Sequence, residues 1–88
     1  MPSRPRVPEI SLFQIRETIR AQMKLHTELP PPAEMRAIRE RAGLSLHDVA
    51  KAIGCTHAAV GFWETGARTP QGEMLHRYME ALRTMQEA

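Results

Sequence analysis

The side chains with the strongest metal-binding and nucleophilic chemistry are four histidines and one cysteine, scattered along the 88 residues. No two of the histidines stand four residues apart, the spacing at which one helix face binds a metal ion; they are His26, His47, His57 and His76. Cys55 is the single cysteine, so neither an internal disulfide nor a multi-cysteine metal site can form. We interpret Cys55 as a small residue that fills a turn. A redox sensor or a cross-link between two chains is the less favoured alternative. We therefore predict no metal site and no cofactor.

Motifs for catalysis are also missing from the sequence. It has no serine-nucleophile motif, no glycine-rich loop to bind phosphate, and no carboxylate cluster in a predicted cleft. No apolar run approaches the roughly 20 residues that span a bilayer, and residues 1–8 contain no apolar signal core. We predict a protein that is not an enzyme, does not bind membranes and is soluble in the cytoplasm.

The composition, 42% hydrophobic and 25% charged, is typical of one small globular domain. The formal charge of +2 is unevenly distributed. Residues 1–24 carry five basic and two acidic residues, or +3, and residues 25–88 carry seven and eight, or −1. The basic excess therefore lies near the N terminus, and residues 25–88 give no general electrostatic argument for nucleic-acid binding.

Prolines and helix-capping signals divide the chain into four segments. Residues 1–8 are predicted to be a flexible basic arm and residues 9–29 an amphipathic helix, followed by a proline linker at 30–32 and a helical domain at 33–86. The amphipathic helix has an apolar stripe at spacings of three and four: Leu12, Ile15, Ile19 and Met23. We expect this stripe to pack on its own domain and enlarge a thin core; pairing with another chain is the alternative.

Capping signals predict four helices within the domain, at about 33–42, from Ser45 to Gly54, and at about 57–64 and 71–86. The predicted N-caps are Ser45, Thr56 and Thr69, with Pro70 in the first turn of the last helix. The second and third helices are short and joined by a tight turn that contains glycine, which matches the helix-turn-helix unit. Such a turn leaves the second of the two helices protruding and able to enter a DNA major groove about 12 Å wide.

A series of short fragments in fixed order extends this pattern over residues 33–83. The fragments are Met35–Arg39, Arg41–Ser45, Asp48–Ala50, Ile53–Gly54, Val60, Trp63–Glu64, Gly66, Arg68 and Pro70. In that order and spacing the sequence resembles the Cro and lambda-repressor-like family of DNA-binding helix-turn-helix proteins. The resemblance implies an all-α fold, a compact helical bundle that is preceded here by an extra N-terminal helix.

The resemblance also implies structural roles for individual residues. The implied core residues are Leu44, Val49, Ala50, Ile53, Val60 and Trp63. In this family a glutamate at the position of Glu64 commonly pairs with an arginine at the position of Arg39, which ties the recognition helix to the first helix of the domain. Two solvated surface charges are the alternative for this pair.

DNA contacts carry over onto matching positions. At phosphate the implied contacts are Ser45 and Leu46, and in a loop that grips the backbone they are Thr65 and Arg68. At base edges they are His57, Ala58 and Phe62, with Ala59 and Gly61 beside them. The side chains that offer hydrogen bonds on the recognition helix are Thr56, His57 and Thr65. The sequence departs from the family at Leu46, where glutamine is common. Its recognition helix also lacks the Arg, Gln or Asn side chains that make bidentate contacts to bases.

Three explanations of this donor-poor helix remain open. Ala58 and Phe62 pack on thymine methyl groups, or DNA shape supplies the specificity with Arg4 and Arg6 in a minor groove, or the surface around Phe62 binds a protein. We predict a sequence-specific transcriptional regulator of bacterial or phage type, a repressor that binds double-stranded DNA as a homodimer on the nucleoid. The alternative is an adaptor that binds another protein, through Phe62 or through the apolar stripe of the N-terminal helix.

Overall fold

The computed structural model describes residues 9–87, and these residues form five α-helices with no strand among them. The helices are α1 (Leu12–Glu28), α2 (Pro32–Arg41), α3 (Leu46–Ile53), α4 (His57–Thr65) and α5 (Gly72–Gln86). The all-α prediction is confirmed: α2 to α5 correspond to the four helices predicted for the domain, and α1 is the extra N-terminal helix. The predicted arm at residues 1–8 lies outside the described residues. In the part described, no helix combines the length and the hydropathy of a membrane span.

Side-chain caps explain where α1 and α3 begin. Ser11 Oγ accepts a hydrogen bond from the backbone N–H of Gln14 at 3.1 Å, and the Gln14 side chain accepts one from the Ser11 N–H at 2.9 Å. Ser45 and Asp48 form the same reciprocal pair at 3.0 and 2.8 Å. Each pair satisfies two N–H groups that the start of a helix leaves without intrahelical partners. As a result α1 begins at Leu12, three residues into its predicted segment.

The start of α5 differs from the prediction. Thr69 does not cap this helix: the N-cap is Gln71, whose side chain makes no capping bond, and the helix begins at Gly72. Pro70 lies outside the helix with its ring buried. Because this anchored ring fixes the path of the chain, Gln71 remains extended, at φ −129° and ψ 154°, before the first helical residue.

Helices α2 to α5 enclose one hydrophobic core, in which α4 packs against α2 and α3, and α5 packs against the same two helices. The buried apolar residues are Met35, Ile38, Val49, Ala50, Ile53, Val60, Trp63, Leu75, Tyr78, Met79 and Leu82. Leu44, implied as a core residue, is 38% exposed at the edge of a groove between α3 and α5. Leu44 belongs to the turn after α2, and its carbonyl accepts a hydrogen bond from Arg39 Nη1 at 2.8 Å, which holds this residue at the edge of the core.

Of the helices described, α1 packs only against α5. Leu25 and Leu29, near its C-terminal end, contact the core, and the Gln22 amide nitrogen lies 3.2 Å from His76 Nε2 on α5. The apolar stripe (Leu12, Ile15, Ile19 and Met23) is 46% to 72% exposed. The expectation that this stripe packs on its own domain is therefore wrong. At about 100° per residue, the face of α1 that docks on α5 is rotated about a quarter turn away from the stripe.

The exposed stripe belongs to a helix that projects from the body formed by α2 to α5. The Cα radius of gyration is 16.2 Å and the longest dimension 55 Å. A compact chain of this length would have a radius of gyration of about 12 Å. The difference reflects the N-terminal turns of α1, which extend beyond the body.

Candidate nucleic-acid interface

The turn between α3 and α4 is three residues long, from Gly54 to Thr56. Gly54 is left-handed (φ +83°), and the N–H groups of Gly54 and Cys55 both donate to the Ala50 carbonyl, at 2.9 and 3.0 Å. A side chain at Gly54 would be strained by this φ and would also approach Arg77 Nη1 to 3.2 Å. Thr56 Oγ1 accepts from the Ala59 N–H at 3.2 Å, which caps α4 at its first turn. The turn therefore sets the direction in which α4 leaves α3.

The inner face of α4 consists of Val60, Trp63 and Glu64, all of which are buried. The Trp63 ring packs against Tyr78 of α5, with the ring centroids 4.8 Å apart. This is the arrangement expected from the sequence, in which α4 is held from beneath by these three side chains. Because the inner face is packed, the orientation of the opposite face is determined by the core.

Glu64 is joined to α2 by an ion pair, as the resemblance implied. Arg39 Nε and Nη2 donate to the two carboxylate oxygens of Glu64, at 2.7 and 2.9 Å, and both side chains are largely buried. The bond to Glu64 raises the pKa of Arg39 above its ordinary value. Since Arg39 also donates to the Leu44 carbonyl, one guanidinium links α2, the turn before α3, and α4.

The outer face of α4 consists of four exposed residues, His57, Ala58, Phe62 and Thr65. Ala59 and Gly61, implied beside the base-facing residues, are only partly exposed. Ala59 packs against the core, and a Cβ at Gly61 would lie 3.8 Å from Leu46 Cδ1. Ala59 therefore faces the core and Gly61 faces α3, so neither is presented to solvent as fully as Ala58 or Phe62.

Phe62 and Arg68 form one unit at the C-terminal end of the outer face. The Arg68 guanidinium carbon lies 4.7 Å from the centroid of the Phe62 ring, within the range of a cation–π contact. The Arg68 N–H also donates to the Phe62 carbonyl at 3.2 Å. The ring is 39% exposed, so it presents an apolar surface with a cation held over it.

The hydroxyl of Thr65 is engaged within the chain. Its Oγ1 donates to the Phe62 carbonyl at 3.2 Å and accepts from the Ala67 N–H at 3.4 Å. A hydroxyl has a single hydrogen, so Thr65 has no donor left for a phosphate. The Thr65 hydroxyl is thus used locally in this structure, and its contact with DNA stays a prediction.

The starts of α3 and α4 lie side by side. The imidazole rings of His47, in the first turn of α3, and His57, the first residue of α4, are 4.1 Å apart between centroids and inclined by 33°. The first N–H groups of both helices have no intrahelical acceptors, because the carbonyls four residues earlier lie outside the helix. From the sequence alone we did not place His47 beside the candidate site. Its position two residues after Ser45, at the start of the helix that precedes the turn to His57, is the signal that indicates this neighbourhood.

Ser45 and Leu46 stand at the start of α3, but their side chains are used locally. Ser45 Oγ caps the helix and keeps its own hydrogen for another acceptor. The partly buried Leu46 side chain packs against the core, and its backbone N–H has no intrahelical acceptor at the helix start. Arg4 and Arg6, the implied accessory contacts, lie outside the described residues.

Metal or thiol chemistry finds little support at this surface. Among residues 9–87, no three side chains of His, Cys, Asp or Glu are grouped as a metal site would require. Cys55 is half-buried, and burial raises the pKa of its thiol above the ordinary value. A raised pKa lowers the thiolate fraction, which fits the interpretation of Cys55 as a turn-filling residue.

Comparison with known proteins agrees with this architecture. A family model described as a helix-turn-helix domain matches residues 33–88, which include α3, the turn and α4. No significant match was found among curated proteins or among solved structures. The match covers well over half of the chain and fits the resemblance to the Cro and lambda-repressor type. The chain therefore belongs to the helix-turn-helix domain family.

Proposed function

We propose that the protein is a sequence-specific regulator of transcription that inserts α4 into the major groove of double-stranded DNA. The observation that carries this proposal is the division of α4 into a buried inner face and an exposed outer face, with the inner face fixed by the Arg39–Glu64 ion pair. A helix held in this way has the diameter and the exposure needed to lie in a major groove.

Phosphate contacts are proposed at the two ends of the interface. The free N–H groups at the start of α3, at Leu46 and His47, are suited to a phosphate oxygen on one side of the groove. Arg68, held over the Phe62 ring, is placed to contact the backbone on the other side. The hydroxyls of Ser45 and Thr56 each retain a hydrogen for the same purpose.

Base recognition is proposed to rely on apolar contact and on the two histidines. Ala58 and Phe62 offer methyl and ring surface that suits the C5-methyl group of thymine. His57, stacked on His47, supplies the hydrogen-bonding group nearest the start of the recognition helix. Such an interface favours sites that contain A·T pairs, with DNA shape adding specificity.

The physiological role that fits this interface is repression in a bacterium or phage, by a homodimer that occupies its operator on the nucleoid. An adaptor that docks a protein on Phe62 is the alternative, supported by the exposed ring and the scarcity of donors on α4.

A titration of fluorescent duplex DNA of mixed sequence separates these proposals. Anisotropy measured from about 50 to 200 mM salt should give a negative slope of log affinity against log salt, close to −0.9 for each phosphate neutralised. Arg68→Ala should lower the magnitude of the slope by about one. Arg83→Ala is the matched control, because Arg83 lies on α5 and pairs with Glu28 of α1, and it should leave the slope unchanged. Absence of binding at the lowest salt would reject DNA binding in favour of the adaptor.

Selection of bound fragments from a random DNA pool tests sequence specificity in the same system. We expect enriched sites with A·T pairs at the positions facing Ala58 and Phe62. Recovery of unrelated sequences, with the salt slope intact, would mean that the protein binds DNA without reading bases.

A further inference from the structure

Within residues 9–87, most of the large apolar side chains that stay exposed lie on α1, and four of them form the stripe. Its four side chains are 46% to 72% exposed, although they follow one another at helical spacings over three turns: Leu12, Ile15, Ile19 and Met23. Monomeric proteins expose single apolar residues freely, whereas a continuous apolar row on a projecting helix is typical of an interaction surface. We infer that this stripe is the contact between two copies of the chain, which pair along α1.

The area of the stripe is consistent with a second copy as its occupant. Each side chain exposes on the order of 100 Å² of apolar surface, so two facing stripes remove about 800 Å² from water. The methylene stems of Arg16 and Arg20, next to the stripe, bring the total to about 1,000 Å², where specific interfaces begin. Spacings of three, four and four keep the row on one face of a nearly straight helix, and an interface of this size predicts a reversible dimer.

The charges beside the stripe favour a second copy over an acidic partner. A basic ridge of Arg16, Arg20 and Lys24 runs along one edge of the stripe. Arg20 is paired within the helix to Glu17 at 2.9 Å, and Lys24 lies 4.0 Å from Glu28. Because two of the three cations already have acidic neighbours, an acidic partner would gain little from the ridge.

The same charges select the direction of pairing. The edge opposite the basic ridge is neutral, with Thr18 and Gln22. In a parallel pair the ridge of one helix faces the neutral edge of the other, whereas an antiparallel pair would bring Arg16 of one copy beside Arg20 of the other. Arg16 has no ion-pair partner among the described residues, so it repels the Arg20 guanidinium of the other copy even though Arg20 is paired with Glu17. The two helices therefore run parallel.

Parallel pairing places both bodies at the same end of the paired helices. Each body docks on its own α1 through Leu25 and Leu29, about a quarter turn from the seam, so the bodies do not block it. If the proposed function holds, two recognition helices would then be presented together to adjacent half-sites of one operator. Pairing itself needs no DNA, and the tests below are made without it.

Sedimentation equilibrium of the full chain tests the interface. We expect a monomer–dimer equilibrium in which Ile19→Glu raises the dimer dissociation constant by more than about a hundredfold, because each dimer would bury two carboxylates in an apolar seam. Ala21→Glu, with the same added charge on the opposite, exposed face of α1, is the control and should leave the constant nearly unchanged. Far-ultraviolet circular dichroism should show that both variants keep their helices. A wild-type chain that is monomeric at about 100 µM, or a dimer that Ile19→Glu does not weaken, would overturn the inference.

Cysteine cross-linking tests the direction. In a Cys55→Ala background, Leu12→Cys should form an intermolecular disulfide under mild oxidation, because a parallel seam brings the two copies of residue 12 together. An antiparallel seam would place residue 12 beside residue 23 of the other copy, about 16 Å away from its own equivalent. Phe13→Cys, equally exposed at the same end but off the seam, is the control. A dimer that cross-links at neither position would contradict the parallel arrangement.

Discussion

The ion pair between Arg39 and Glu64 makes the sharpest test of how α4 is held. In Glu64→Gln the carboxylate becomes neutral, and the two bonds at 2.7 and 2.9 Å are reduced to one weaker bond. The Arg39 side chain is only 13% exposed and would keep its charge with little water to solvate it. Breaking one half of a buried pair costs about 3–5 kcal/mol, whereas a small domain has a total stability of about 5–15 kcal/mol. We expect Glu64→Gln to remove roughly a fifth or more of the free energy of unfolding.

Urea unfolding provides the measurement. Trp63 is the single tryptophan and is buried beside the pair, so its fluorescence reports the transition directly. The matched control is Glu40→Gln, because Arg36 and Glu40 also form an ion pair at 2.7 Å, but with more than half of each side chain exposed. An exposed pair of this kind contributes little, since water screens both charges and the side chains lose conformational freedom. The control should unfold at nearly the wild-type urea concentration.

The double variant Arg39→Met with Glu64→Leu separates the value of the pair from the penalty of breaking it. Replacing both partners with apolar side chains leaves no buried charge, so its stability should return to within about 2 kcal/mol of the wild type. If Glu64→Gln cost no more than the Glu40 control, Glu64 would not be the anchor of α4. The orientation of the outer face of α4 would then not depend on this ion pair.

Three further predictions concern the outer face, the core and the caps. Phe62→Ala should change sequence preference in DNA competition assays without lowering stability. Arg68→Ala should instead weaken binding to all sequences alike. An equal loss of affinity on every sequence for Phe62→Ala would contradict a base-reading role. Tyr78→Phe should leave the free energy of unfolding unchanged or higher, because the buried Tyr78 hydroxyl has no hydrogen-bond partner among the described residues. Destabilisation in urea by about 1 kcal/mol or more would show that this hydroxyl is bonded in solution. The hydrogen bond donated by the Ser45 backbone N–H holds the pKa of Asp48 below its ordinary value. The stability that Asp48 contributes is therefore present above about pH 4 and is lost as the pH falls further. Asp48→Asn should therefore unfold more easily than the wild type at pH 6, by a difference that becomes smaller as the pH is lowered from about 4 towards 2. A difference that stays constant over this range would refute the linkage.

Much of the domain could be predicted because its signals are local. The reciprocal cap of Ser45 and Asp48, the left-handed turn at Gly54 and the cap at Thr56 involve residues at most three or four positions apart. Those contacts form within a single helical turn, so spacing along the chain is sufficient to recognise them. The same holds for the burial of Val60 and Trp63, which follows from the helical period once the boundaries of α4 are known.

Other features depend on residues that are distant in sequence. The sequence determined that α1 is amphipathic, but its contacts with α5, more than fifty residues away, decide that Leu25 and Leu29 dock while the stripe stays exposed. Likewise, the stacking of His47 on His57 and the placing of Arg68 over Phe62 come from the angle between elements and from the path of a loop. A periodic pattern specifies which side chains share a face, but the neighbour that covers that face is chosen by the free energy of packing the whole chain.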